Sequence, residues 1–284
     1  MNILVFGQGK MGTTVIAKTI QHSLPGSRFL MEPKSEEALS GRDGQDHIVK
    51  ILQGYWQENL PGLTRVLRNE STMRFDRIVK MIRDPRDQAI SLLLYQFFGL
   101  ARSGRASDKQ LQELIEIVQA KERSPSSLSF TAFCAELNRL FEWSDFTSIW
   151  LMRESGRVAN RAYWEYLHAE SGEGYLARYE DFVRGELREL ESYLGLKLSP
   201  NRDLGEFSRT RRSASWGNWR EFFTAEDVAA LRPVIGATIK EMGYPDWELR
   251  PVARLNPEHF SGYLVRLIEE AREANSKGTS LPAR

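Results

Sequence analysis

The sequence predicts an α/β fold, doubly wound around a mostly parallel sheet with helices on both faces. Two observations predict it. An apolar run, Ile3-Leu4-Val5-Phe6, enters a glycine-rich turn, Gly7-Gln8-Gly9-Lys10-Met11-Gly12, and continues with helical spacing through Thr13-Thr14-Val15-Ile16-Ala17. Beyond it, short apolar runs alternate with amphipathic stretches, and parallel strands need such crossover helices to return to the same edge of a sheet.

Taken in order, residues 27–31 form a second strand after a helix that ends near Pro25-Gly26, and residues 35–44 are polar and glycine-punctuated, hence a loop. Residues 47–67 read as a helix, with Ile48, Ile51, Leu52, Tyr55 and Trp56 on one face. Residues 77–82 are a strand stopped by Asp84-Pro85, and residues 88–98 an apolar helix. The stretch 101–127 is charged and poor in aromatics, with a helical middle (Leu111, Leu114, Ile115, Val118), and reads as an insertion or cap. Amphipathic helices at 128–143 and 156–168 flank a candidate strand at 147–152; residues 174–179 form another strand and 182–194 a helix. Thr224-Ala225-Glu226-Asp227 is a capping box that opens a helix running to Met242, before Gly243. A last amphipathic helix carries Phe260, Tyr263, Leu264, Leu267 and Ile268, and the chain then frays from Ser276. The expected organisation is one α/β domain over residues 1–250 and a helical extension with a tail over 251–284.

Charge and composition narrow the function classes. The formal net charge of +1 excludes a global basic field for nucleic acid or an anionic membrane, so positive charge must act locally. Cys134 is the only cysteine, which rules out an internal disulfide and suits a reducing compartment. Its apolar helical setting reads as a buried structural thiol. No apolar run reaches membrane-spanning length and no charged leader precedes the first strand, so a cytoplasmic protein is expected.

Strand, glycine turn and helix together aim backbone N–H groups and the positive end of a helix dipole at one point, where phosphate is the natural ligand. Two readings of that corner compete. Gly7, Gly9 and Gly12 spell G-x-G-x-x-G, and Glu32 lies twenty residues beyond, as a ribose-binding carboxylate does in a dinucleotide-binding unit. Alternatively, Lys10-Met11-Gly12-Thr13-Thr14 is a phosphate loop with its lysine inside the turn; it is not a Walker A loop, because Thr13 directly follows Gly12. A second anion motif supports the latter. Arg83 sits at the carboxyl end of the 77–82 strand and Ser91 about one turn into the next helix, a fork and a hydroxyl that suit a phosphate monoester. The stretch Arg209-Thr210-Arg211-Arg212-Ser213-Ala214-Ser215-Trp216-Gly217-Asn218-Trp219 adds a basic, glycine-containing loop ending in aromatics.

These segments together resemble the sulfotransferases that use 3′-phosphoadenosine 5′-phosphosulfate (PAPS). Lys10-Met11-Gly12-Thr13-Thr14 is similar to that family's 5′-phosphosulfate loop, and Arg83-Asp84-Pro85-Arg86-Asp87 with Ser91 to its 3′-phosphate motif, including the spacing from arginine to serine. Tyr179-Glu180-Asp181 resembles its Tyr-Glu-Asp segment, Arg212 to Trp219 its closing Arg-Lys-Gly loop with Gly-x-Trp, and Met242-Gly243-Tyr244 its C-terminal Gly-Tyr. The motifs run in the family's order over residues 3–245. Met11 replaces the usual serine, and Ser213-Ala214 replace the usual Lys-Gly after Arg212. The histidine base of the cytosolic aryl and steroid branch has no counterpart here, since no histidine lies between His47 and Arg83. Phe29-Leu30-Met31-Glu32-Pro33 is instead similar to the Phe-Leu-Tyr-Glu-Pro segment of carbohydrate sulfotransferases, which puts the chain nearer the carbohydrate and bacterial branches.

The resemblance implies sulfuryl transfer from PAPS, as donor co-substrate and without a metal, to an acceptor hydroxyl on a carbohydrate or glycolipid. It implies Lys10 and Glu32 as catalytic residues, with His47 the alternative base, and nucleotide binding by Gly9, Lys10, Met11, Gly12, Thr13, Thr14, Arg83, Ser91, Tyr179, Arg211 and Arg212. Nucleic acid and an integral membrane segment are not expected. The rival readings are an NAD(P)-dependent oxidoreductase and a nucleotide-binding family member without turnover.

Overall fold

Five strands pair wholly in parallel in the computed structural model, which describes residues 1–39, 44–142, 159–199 and 204–276. They are β1 (Asn2–Gly7), β2 (Arg28–Met31), β3 (His47–Leu52), β4 (Arg77–Ile82) and β5 (Tyr175–Arg178), in the order β2-β3-β1-β4-β5. The described helices are α1 (Thr13–Ser23), α2 (Leu60–Leu67), α3 (Pro85–Arg102), α4 (Asp108–Arg123), α5 (Phe130–Phe141), α6 (Ala159–Ala169), α7 (Tyr179–Arg184), α8 (Arg188–Leu194), α9 (Trp219–Phe222), α10 (Ala225–Glu241) and α11 (Ser261–Ser276). The α/β class is therefore as expected, with helices flanking the sheet. Contacts divide the chain into two compact units, Met1–Arg83 with Ala162–Arg211 and Asp84–Arg161 with Arg212–Arg284.

The first unit contains the sheet. β1 lies between β3 and β4, with Leu4 opposite Val49 on one side and Ile78 on the other. Ile3, Leu4, Val5 and Phe6 are fully buried, as a strand covered on both faces requires. The expected helix over residues 47–67 is corrected here. Its first six residues are β3, followed by a 3₁₀ turn (Gln53–Asn59) and only then by α2. A strand covered on both faces reads as an unbroken apolar run, and Ile48, Val49 and Ile51 are β-branched, so the helical spacing was coincidental. Asn59 starts α2, its side-chain oxygen accepting from the Gly62 N–H at 3.0 Å.

A second correction concerns residues 182–194. Two helices stand there, α7 and α8, because Gly185 takes a left-handed conformation (φ 77°) that ends α7. The tyrosine-rich helix α6 packs on the sheet. Tyr163 is fully buried, donates to the Met81 carbonyl at 2.7 Å and lies 5.8 Å from the Phe6 ring. The candidate strand at 147–152 lies outside the described residues.

The second unit is helical. Phe97, Leu114, Phe133, Leu137, Trp219, Leu264 and Leu267 fill its core, so α4, from the charged 101–127 stretch, buries Leu111, Leu114 and Val118 there. Ser107 and Gln110 form a capping box at the start of α4. Cys134 is buried in the same core, and burial pushes its thiol pKa up, which keeps it inert. The sequence-read box at Thr224 is present and does more than cap its own helix. Asp227 accepts from the Thr224 N–H at 2.8 Å and also from the N–H groups of Phe130 (2.8 Å) and Thr131 (3.1 Å) at the start of α5.

One fully buried carboxylate thus closes the starts of α5 and α10. Asp227→Ala strands the N–H groups of both, and the expected loss is about 2–4 kcal/mol in urea unfolding. A loss below about 1 kcal/mol would contradict this account of the two caps.

Candidate functional site

The glycine turn is shaped by close approach. Gly7 ends β1 where an added Cβ would come within 2.7 Å of the Thr13 methyl and 3.1 Å of Met81 Cβ. Gly12 has φ 85°, and a Cβ there would meet the Tyr179 ring at 2.4 Å. Lys10 itself is left-handed (φ 64°), an uncommon state for a residue with a side chain. The helix α1 begins at once, with the Ile16 N–H bonded to the Gly12 carbonyl at 3.1 Å. No side chain caps its N-terminus and no acid lies in its first turn. Such an end suits an anion, through both its backbone donors and its dipole.

Met11 explains its own departure from serine. Its side chain is fully buried, and its sulfur accepts from the Gln8 N–H at 3.5 Å, closing the loop from beneath. Thr13 and Thr14 are buried in the first turn of α1.

Three strands then converge on this turn. From the end of β4, buried Arg83 donates to the Lys10 carbonyl at 2.9 Å. Tyr179, just beyond β5, lies under the same guanidinium, with 4.3 Å from Arg83 Cζ to the ring centroid, and packs against Gly12. The Arg83 Nε is buried without a hydrogen-bond partner among the described residues. A buried orphan donor beside a phosphate-type turn fits an anionic ligand. Lys10 Nζ reaches the Thr210 carbonyl at 2.6 Å, one residue before Arg211, which is exposed.

Glu32 follows β2 in a left-handed conformation (φ 53°), its N–H continuing the ladder to the Lys50 carbonyl at 2.8 Å. Its carboxylate pairs with the ammonium of Lys50, rather than with Lys34 or Arg28. Trp56 donates to the next carbonyl, Pro33, at 2.8 Å. Lys50 is a residue of the candidate site that the sequence reading missed. Burial pushes its pKa down, the Glu32 carboxylate opposes that shift, and the charge of Arg209 adds to it. The signal was a lysine inside an otherwise apolar run, which the helical reading of residues 47–67 passed over. His47, the alternative base, is buried at the opposite end of β3, its Nδ1 3.3 Å from Asn2 Oδ1. It is far from the carboxyl ends of the strands.

Strand order weighs between the two readings of the glycine turn. A dinucleotide-binding unit sets its second strand beside the first, so that the carboxylate ending that strand meets the ribose. Here β3 intervenes, and β2 lies two strands, about 10 Å, from β1. Glu32 is thereby removed from the position of a ribose hook.

Ser91 and Arg212 belong to the second unit. Ser91 is buried on α3, one helical turn beyond Asp87. Arg212 is buried, donating to the His259 carbonyl at 3.2 Å and to Asn218 Oδ1 at 3.1 Å. Arg86, from the same motif as Arg83, turns into the protein. Its guanidinium sits 3.8 Å from the Trp219 ring centroid and 4.7 Å from that of Trp247, and it pairs with Asp84 through Nε and Nη2. Burial raises the Asp84 pKa, and the Arg86 partner opposes it. Asp84 also caps α3, accepting from the Arg86 N–H at 3.0 Å, and the ion pair at this junction is buried.

No protein-family model and no curated protein matches the chain. Among solved structures it is similar to mouse sulfotransferase SULT7A1 complexed with PAP, at 14% identity and a TM-score of 0.43, over 84% of this chain and 88% of that one. Among the described residues, no group of three or more His, Cys, Asp or Glu is placed to hold a metal ion, and no helix is long and apolar enough to cross a membrane.

Gly12→Ala tests the close approach. Both the left-handed backbone and the Tyr179 ring oppose a side chain there, and the expected destabilisation is about 1–3 kcal/mol, read as a lowered Tm. An unchanged Tm would contradict the contact.

Proposed function

We propose that the chain is a sulfotransferase that moves a sulfuryl group from PAPS to a hydroxyl of an acceptor, and that the acceptor is a carbohydrate or glycolipid. The observation that carries the reading is the meeting of an uncapped α1 N-terminus, left-handed Lys10, buried Arg83 and Tyr179 on one glycine turn. The sugar preference rests on the Phe29 to Pro33 resemblance and on the absence of a histidine between His47 and Arg83.

PAPS supplies an activated sulfuryl group, and negative charge grows on the oxygen that leaves with the 5′-phosphate. The protein's task is then mainly to position groups and stabilise that charge. In this reading the backbone of Gly9 to Thr14, with the Thr13 and Thr14 hydroxyls, holds the 5′-phosphate. The flexible stem of Lys10 lets its ammonium exchange the Thr210 carbonyl for the developing charge. Arg83, Ser91 and Arg212, with Arg211 next to it in the chain, are assigned the 3′-phosphate, which distinguishes the donor from ATP. Tyr179 lies by the nucleotide. Glu32 takes the proton of the acceptor hydroxyl, and Lys50 and Trp56 hold it at the end of β2.

Calorimetric titration tests the class. Tight binding of adenosine 3′,5′-bisphosphate (PAP) with none of NADH is expected, and the reverse would return the glycine turn to a dinucleotide. Lys10→Ala should lower turnover about a hundred- to a thousandfold with an unchanged circular dichroism spectrum. Near-normal activity in that variant removes Lys10 from the mechanism. Glu32→Gln should lose turnover while keeping its affinity for PAP; unchanged turnover would move the base elsewhere. A chain that binds PAP yet transfers nothing to any hydroxyl acceptor would be a binding protein.

A further inference from the structure

The loop from Arg212 to Trp219 is organised around one oxygen. Asn218 Oδ1 lies 3.1 Å from Arg212 Nη2, 3.3 Å from Ser213 Oγ and 3.0 Å from Ser215 Oγ. Guanidinium nitrogens only donate, so the acceptor end of the amide must be the one that faces them. Asn218 is in turn fixed on both sides through the backbone. The carboxylate of Asp87 accepts from the N–H of Gly217 and, at 3.0 Å, from that of Trp219. The Trp219 indole N–H donates to Asp84 at 3.0 Å. Asp87 is fully buried in the first turn of α3, and Ser91 stands four residues further on, on the same face of that helix.

The loop is thus riveted to the face of α3 that carries Ser91, and the rivet ends at the residue that holds Arg212. Contacts that bear on the plane of that guanidinium include Asn218 Oδ1, the His259 carbonyl at 3.2 Å and the Phe260 ring, whose centroid is 5.4 Å from Cζ. Carbonyl and ring constrain the side chain from the segment just before α11. Asn218 links it to α3, through the neighbouring N–H groups that Asp87 holds.

We propose that Asn218 is a positioning residue for 3′-phosphate recognition, acting through Arg212, and that Asp87 anchors it. This rests on the donor reading above and deepens it. An arginine held in one plane before the ligand arrives loses less freedom on binding, so its contact with a phosphate is worth more. The usual Lys-Gly after the arginine is replaced here by Ser213-Ala214, and the network takes over part of what a second cation would supply: Ser213 and Ser215 converge on the same amide that orients Arg212. The advantage should be felt by the 3′-phosphate alone.

The test compares two nucleotides that differ by that group, PAP and adenosine 5′-monophosphate, by calorimetry. Wild-type protein should prefer PAP. Asn218→Ala should weaken PAP about ten- to hundredfold, leave the monophosphate unchanged, and leave kcat at saturating PAPS near normal. Asn218→Asp, which keeps an acceptor in place, should restore most of the preference. Should the alanine variant fail to fold, Asn218→Ser serves instead: its hydroxyl still stands at the start of α9 but is too short to reach Arg212, and the same selective loss is expected. Equal weakening of both nucleotides would reduce Asn218 to a structural residue and overturn the proposal, as would unchanged PAP affinity. A wild-type protein with no preference for PAP would overturn the donor reading itself, a failure visible before any variant is made.

Discussion

How closely side chains can approach the glycine backbone at the carboxyl end of β1 governs the first unit. Gly7 lets Thr13 and Met81 close over the end of the strand, and Gly12 lets the Tyr179 ring lie against the turn. Without those approaches the helix α1 could not start where it does, nor could the segments after β4 and β5 reach the turn. Parallel strands then do the rest, because all their carboxyl ends lie along one edge. Glu32 comes from β2, Lys50 from β3, the glycine turn from β1, Arg83 from β4 and Tyr179 from β5. Each strand contributes one group to the candidate site.

Two arginines three residues apart show how little residue type decides by itself. Arg83 ends the sheet-bearing unit with a buried, unpartnered Nε and its stacking on Tyr179. Arg86 stands at the start of the helical unit and is consumed by structure, gripped by Asp84 and packed against the rings of both Trp219 and Trp247. Burying such a pair gains little net stability, since desolvation offsets most of the attraction. It does fix geometry, because the fork, two rings and the carbonyls of Tyr244 and Asp246 admit one arrangement. That arrangement is what holds the Trp219 end of the Arg212 loop.

Much of this was legible in sequence. β1, β4 and the start of α1 were marked by apolar runs meeting glycine or proline, and the cap at Thr224 by its spacing, since local chemistry fixes such boundaries. β3 was not, because an apolar run that is covered on both faces carries no period to distinguish it from a helix. With β3 misread, Lys50 went unnoticed. Gly185 hid the break between α7 and α8, since a glycine inside an amphipathic pattern can be tolerated as easily as it can end a helix. The contacts of Asp87 with the Gly217 and Trp219 N–H groups were out of reach altogether: they join residues about 130 positions apart in the chain.

Backbone strain picks out the same two residues to which the proposed mechanism gives the chemistry. Among the described residues, four other than glycine have positive φ: Lys10, Glu32, Asn69 and Glu142. Two have local reasons. Asn69 belongs to a residue type that tolerates the left-handed region, and its amide brackets the Phe75 backbone at 2.7 and 2.9 Å. Glu142 is the C-cap of α5, where that conformation is ordinary. Lys10 and Glu32 have neither excuse. Each costs about 1 kcal/mol or more and persists because its surroundings over-determine it: Arg83 on the Lys10 carbonyl, and Lys50 on both the N–H and the carboxylate of Glu32. A ribose hook at Glu32 would need neither the strain nor the buried lysine. A carboxylate that must be held at one point on the edge of the sheet needs both.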